Sequence, residues 1–270
     1  MIRDITLGQY YQADSVIHRL DPRTKISGTF FFIVTLFLAK NVWGYVIAAA
    51  FLVMSIKLCK VPFKYMVKGM KAIVILMLMT VVFNLFMTKG EVIFSFWKLS
   101  ISKEGLENAI KMAIRLTFLI LGSSIMTLTT TPNSLTDGLE KLLGPLKKIK
   151  VPVHEIAMMM SIALRFIPIL IEETDKIMKA QMARGADFDT GNLVKRAKAL
   201  VPLLVPLIIS AFRRAGELAM AMEARCYRGD SGRTRMKPLR YEKRDVIAYM
   251  VIILTLILCI VFGRNTWWMA

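Results

Sequence analysis

Two stretches late in the chain close on nearly the same tripeptide, Ala183-Arg184-Gly185 and Ala224-Arg225-Cys226. Arginine carries a planar, permanently charged fork that grips carboxylates or carbonyls at two points, where lysine acts only as a point charge. The chemistry implied is docking rather than bond making. Gly185 can take the left-handed conformation that ends a helix, which puts the Arg184 guanidinium at the negative end of the helix dipole. Taken alone, that is an ordinary C-terminal cap. The second copy turns it into a pair of pegs for a partner with two matched sockets. Cys226 has no comparable ease at positive φ, so the second helix is expected to run on to Gly229, with Arg228 in its last turn. The expected docking set is therefore Ala183, Arg184, Gly185, Ala224, Arg225, Arg228 and Gly229.

Other residues offer less. His18 and His154 lie in different segments without a His, Cys or Glu partner at metal-ligand spacing, so neither a metal site nor a cofactor site is expected. Cys59, Cys226 and Cys259 show no CxxC spacing and imply neither a disulfide framework nor zinc. No GxxxxGK[ST] stretch is present, so the chain is not expected to bind ATP through a P-loop of its own. Glu172, Glu173 and Asp175 read as a solvated helix face, Asn84 as a candidate hydrogen-bond partner for a neighbouring helix, and Arg115 as an arginine snorkelling to the outer interface. The chain is not expected to be an enzyme.

The elements that must position the two arginines lie in a membrane protein. Of 270 residues, 56% are hydrophobic, 19 are methionine, and mean hydropathy is +0.53. Lys and Arg total 37 against 19 acidic residues, a net charge of +18. Multi-span proteins gather such charge in cytoplasmic loops to fix topology, which accounts for it without nucleic acid. The first residues carry no signal-peptide pattern. A spanning helix needs about 20 mostly apolar residues. Five stretches qualify: Ile26 to Ala39, Val42 to Leu58, Ala72 to Met87, Met112 to Thr130, and Val246 to Gly263 followed by interfacial Trp267 and Trp268. An odd count puts the termini on opposite sides. Lys57, Lys60, Lys64, Lys68 and Lys71, against Lys40 alone in the first turn, place the N-terminus in the cytoplasm. The loop from Thr88 to Lys111 is then external, its Lys89, Lys98, Lys103 and Lys111 accompanied by Glu91, Glu104 and Glu107.

The expected organisation is 1–130 with four spans, 131–245 as a cytoplasmic region of crossed amphipathic helices, and 246–270 as the last span. The fold class is all-α and polytopic. Within 131–245, a short helix after Thr131-Pro132-Asn133 stops at Gly144-Pro145. A long one opens at Pro152 and runs to Gly185 with a kink at Pro168, and a third starts near Asn192. Leu200 to Ala211 is apolar, but Pro202, Pro206, Lys195, Arg196, Lys198 and Arg213-Arg214 argue that it does not span. Ala211, Ala215 and Ala219 form a small-residue stripe suited to a close helix crossing, the preceding long helix being its natural partner.

Together with this layout, Ala183-Arg184-Gly185, Ala224-Arg225-Cys226, Tyr227-Arg228-Gly229, Arg233-Thr234, Gly8-Gln9-Tyr10, Asp14-Ser15 and the run from His18-Arg19-Leu20-Asp21-Pro22 to Arg23-Thr24-Lys25 give a pattern that resembles the transmembrane T component of energy-coupling factor transporters. The resemblance covers the whole length, with Cys226 standing where the ideal second motif has glycine. It implies a subunit of the cell membrane whose two coupling helices insert Arg184 and Arg225 into grooves on two ATP-binding-cassette ATPases. It further implies that their ATP-driven motion passes to a small substrate-binding membrane subunit, the S component, for uptake of a vitamin or other micronutrient. Two other classes compete: a membrane transferase acting on lipid phosphates, which needs clustered acidic metal ligands, and a self-sufficient secondary carrier, which needs ionisable residues at mid-membrane.

Overall fold

The computed structural model describes residues 10–39, 41–88, 92–96, 99–186, 188, 200–229, 236 and 238–264. Gly8, Gln9, Lys40, Lys89, Glu91, Lys98, Asn192, Lys195, Arg196, Lys198, Arg233, Thr234, Trp267 and Trp268 lie outside them, as do the side chains of Lys68 and Lys71. The helices are α1 (Pro22–Leu38), α2 (Val42–Cys59), α3 (Phe63–Met87), α4 (Lys103–Thr129), α5 (Pro132–Leu142), α6 (Val153–Ala183), α7 (Val201–Ala224) and α8 (Lys243–Arg264). The protein is an all-α polytopic membrane protein. A small antiparallel hairpin, β1 (Val92–Phe96) with β2 (Leu99–Ser102), sits between α3 and α4 where the sequence suggested only loop.

Two compact units emerge. One holds Gly8–Lys141 with Leu239–Ala270; the other holds Leu142–Pro238. In the first, α8 packs with α1 and α2, and α3 lies along α4. Its core is Phe32, Leu36, Ala48, Leu52, Cys59, Val61, Met66, Leu121, Ile125 and Leu128. α4 reaches α1 closely because Gly122 leaves room for a ring: a Cβ there would lie 2.5 Å from Phe32 Cε1.

Helix starts follow local chemistry. Asp21 caps α1 by accepting from the Arg23 amide at 2.9 Å, and Pro22 takes the first helical position, where its missing N–H costs nothing. Ser102 caps α4 by accepting from the Gly105 amide at 3.0 Å, so this helix begins nine residues before the apolar run that marked it in the sequence. Asn84 donates to the Thr80 carbonyl of its own helix at 2.8 Å, not to a neighbouring helix.

One face of this unit is tied by buried polar groups. Asp245, at the start of α8, accepts from the Asp21 amide at 2.9 Å and from the Glu242 amide at 2.8 Å. Lys25 in α1 donates to Thr129 O at the end of α4 (2.8 Å) and to His18 O (3.0 Å). Arg23 pairs with Asp21 at 3.0 Å and lies 4.0 Å over the Tyr241 ring. His18 Nε2 donates to Tyr11 O at 3.0 Å while Nδ1 accepts from the Ser15 hydroxyl at 2.7 Å, and burial pushes the ring below the usual imidazole range, as a neutral tautomer in that role requires. The starts of α1 and α8 and the end of α4 therefore share one face.

Among the described residues, four helices are long and apolar enough to cross a membrane: α2, α4, α6 and Lys243–Phe262 of α8. This set differs from the five expected. α1 has 17 residues and the apolar part of α3, Ile73–Phe86, is also short, whereas α6 enters the set because its charges cluster beyond Ile171.

Asp245→Ala should strand the buried Asp21 amide and the partly buried Glu242 amide and lower stability by about 2–4 kcal/mol. Arg19→Ala, which breaks only the exposed pair with Asp14, should melt like the wild type. Thermal unfolding of the detergent-solubilised proteins compares them, and equal melting temperatures for the two variants would show that the Asp245 tie carries no special weight.

Candidate functional site

The second unit is built around α6 and α7. α6 is continuous through Pro168 and α7 through Pro206. Their ends can be compared atom by atom. In α6, Ala183 is the last helical residue, Arg184 is the cap at φ −87°, ψ 6°, and Gly185 follows at φ +87°. The Gly185 amide donates to Met182 O and the Ala186 amide to Gln181 O, both at 3.0 Å. In α7, Ala224 is the last helical residue, Arg225 is the cap at φ −93°, ψ 13°, and Cys226 follows at φ +53°. The Cys226 amide donates to Glu223 O at 2.8 Å and the Tyr227 amide to Met222 O at 3.1 Å.

The bond pattern is the same at both ends: the residue after the cap reaches back three positions and the next one reaches back five, satisfying carbonyls the helix cannot. This corrects the expectation that α7 continues to Gly229. The helix stops four residues after Met220, Arg225 occupies the same cap position as Arg184, and Arg228 and Gly229 lie beyond the helix, with Gly229 in a separate positive-φ turn at +80°. Cys226 takes the left-handed conformation in spite of its side chain, a cost of about 1–2 kcal/mol that the two backbone bonds offset. Both arginines are exposed, and neither has a carboxylate partner among the described residues.

Glu173 joins the two helices. Its carboxylate accepts from the Ser210 hydroxyl and from Arg214, at 3.2 Å from Nε and 2.6 Å from Nη2. The sequence suggested a solvated Glu173, and it suggested that Ala211, Ala215 and Ala219 would face α6. Those alanines are exposed; the shielded strip of α7 is Leu203, Leu207, Ser210, Arg214, Leu218 and Met222. The clue was the 3–4 residue spacing that puts Ser210 and Arg214 on one face with those apolar residues. Glu173 to Arg184 and Arg214 to Arg225 are separated by equal stretches of helix, about 16 Å each at the helical rise. The clamp thus sets two arginine-tipped arms of matching length.

The chain is similar to known proteins over most of its length. The model of the CbiQ family, described as cobalt transport protein, matches residues 13–237. The energy-coupling factor transporter transmembrane protein EcfT of Ruminiclostridium cellulolyticum is 57% identical over 247 residues, 92% of each chain. The protein of the same name from Clostridium kluyveri is 56% identical over 270 residues, 99% of each chain. That from Bacillus subtilis is 48% identical over 260 residues, covering 95% of this chain and 98% of the relative.

The Cys226 conformation has a direct test. Cys226→Gly should keep the helix end and raise stability by about 1 kcal/mol, whereas Cys226→Val, with a β-branched side chain at positive φ, should open it. Hydrogen exchange at the Cys226 and Tyr227 amides reads the difference. Equal protection in all three proteins would contradict the left-handed assignment.

Proposed function

The chain belongs to the family of energy-coupling factor transporter transmembrane proteins, and from that premise we propose that it carries ATP-driven motion from two ABC-type ATPases to a substrate-binding membrane subunit that takes up a vitamin or other micronutrient. The observation that carries this reading is the equivalence of the two helix ends. Two exposed arginines, each at the cap of a helix closed by the same backbone bonds, stand equal helical distances from one clamp. A partner with two like grooves fits such a pair. ATP chemistry then belongs to that partner.

The direction of the machine follows from the first unit. Because α4 ends and α8 begins at one face, the segment between them leaves and returns on a single side. Exposed Lys57, Lys60 and Lys64 mark the end of α2 and the start of α3, which the up-and-down order brings to that side. We take it as cytoplasmic, with the N-terminus and the region 131–245. α6 and α7 are one-sided amphipathic helices, whereas α2 and α8 are apolar all round, which favours placing α6 at the membrane surface in spite of its length. Docking is assigned to Ala183, Arg184, Gly185, Ala224 and Arg225, with Arg228 and Gly229 flanking.

A pulldown of the ATPases on the purified chain, paired with an uptake assay, tests the reading. Arg184→Ala with Arg225→Ala should abolish both, because each lost charge-assisted contact costs about 2 kcal/mol or more, some thirtyfold in affinity. Full uptake in the double variant would overturn the assignment. Glu173→Ala keeps both arginines but frees the arms. It should cut uptake more than ATPase association, and a loss confined to association would argue against a clamp.

A further inference from the structure

Arg115 is a charge in an otherwise apolar part of α4, one turn after the exposed Lys111–Glu107 pair that closes the polar start of that helix. Its Nη2 donates to the Tyr45 hydroxyl of α2 at 2.9 Å, and its guanidinium carbon lies 5.6 Å from the centre of the Phe37 ring of α1. That single bond uses one of five guanidinium donors. Nε is fully buried with no hydrogen-bond partner, and no carboxylate pairs with this arginine among the described residues. The Tyr45 hydroxyl accepts from Arg115, and its own proton has no acceptor among the described residues. Among the described residues, two donors from different helices thus converge without a carboxylate, and Tyr45 is buried.

The site sits at a boundary. Phe37 is in the last turn of α1 and Tyr45 in the first turn of α2, so both mark the level where the α1–α2 hairpin turns. The opposite boundary, at Lys25 and Thr129, is about 21 Å away along α4. Trp43, exposed beside Tyr45, has the position of an interfacial aromatic. On α4 the Arg115 side chain tilts toward the helix start, which carries its guanidinium outward from that level toward the headgroup phosphates. Exposed Phe37, Leu38 and Trp43 make the surroundings apolar, which suits acyl chains and disfavours an ion arriving from water.

We propose that Arg115 and Tyr45 form a phosphate-binding site that holds the headgroup of one phospholipid, the guanidinium fork on two phosphate oxygens and the Tyr45 hydroxyl on one of them. The lipid lies between α1, α2 and α4 on the face opposite Lys25. A snorkelling side chain would need only water; a buried Nε and a fixed bond to Tyr45 hold the fork in place for a ligand instead.

Native mass spectrometry of the delipidated full-length chain tests this with three probes: palmitoyl-oleoyl phosphatidylglycerol, the matching diacylglycerol, and inorganic phosphate. Wild type should retain one phosphatidylglycerol, Arg115→Gln at least tenfold less, and Tyr45→Phe an intermediate amount with its fold undisturbed. Diacylglycerol should not be retained, and inorganic phosphate should not displace the lipid. Equal lipid retention by wild type and Arg115→Gln, or retention of diacylglycerol as strong as that of phosphatidylglycerol, would overturn the site. Binding of inorganic phosphate through Arg115 with no lipid retained would overturn the lipid as its occupant.

Discussion

A bilayer interior offers no hydrogen-bond partner, so every helix end near it must be satisfied by the chain itself. Asp245 and Lys25 do this for three helices at once. One carboxylate meets the amides that precede α1 and α8, and one ammonium meets the carbonyl that ends α4. Asp21 extends the tie: its amide is held by Asp245 while its side chain caps α1 and pairs with Arg23. Because each group serves two partners, none can be removed without leaving another buried and unmet. The common level of these ends follows from that constraint. So does the return of the chain to the side it left.

The same rule governs α6 and α7 through backbone atoms alone. Each helix ends on a residue of positive φ whose amide, with the next, returns to carbonyls of the last turn. This closure leaves the cap side chain no backbone duty, and Arg184 and Arg225 are both exposed. The sequence comparison of Gly185 with Cys226 suggested unequal ends because glycine adopts the left-handed region freely and cysteine does not. Two backbone bonds prove enough to hold cysteine there. Local propensity yields to a geometry that satisfies more of the helix end.

Much of the fold was legible from apolar length: the helices of the membrane unit lie where the hydrophobic runs placed them, and Gly185 ended its helix as its type foretold. Boundaries set by capping were harder. Ser102 starts α4 inside a polar stretch that carries no hydrophobic signal, and the β1–β2 hairpin is too short to show alternation. The Asp21, Lys25 and Asp245 tie was hidden for another reason: Asp245 is separated from the other two by most of the chain, and each looked like an ordinary charge at the edge of an apolar run. Glu173 misled because it stands between Glu172 and Asp175 in a run that reads as solvated. Only the fold shows that one of the three turns toward Ser210 and Arg214.

The Glu173 clamp also explains why alanines sit on the outer side of α7. A crossing held by small residues gains energy from close backbone approach and resists sliding weakly, since each alanine resembles the next. A carboxylate held by a hydroxyl and a guanidinium has one register, because a shift of one residue would turn Ser210 and Arg214 away by about 100°. For the matched arms of the proposed docking role, register matters more than closeness. A polar clamp fixes it, and the small-residue face of α7 stays open.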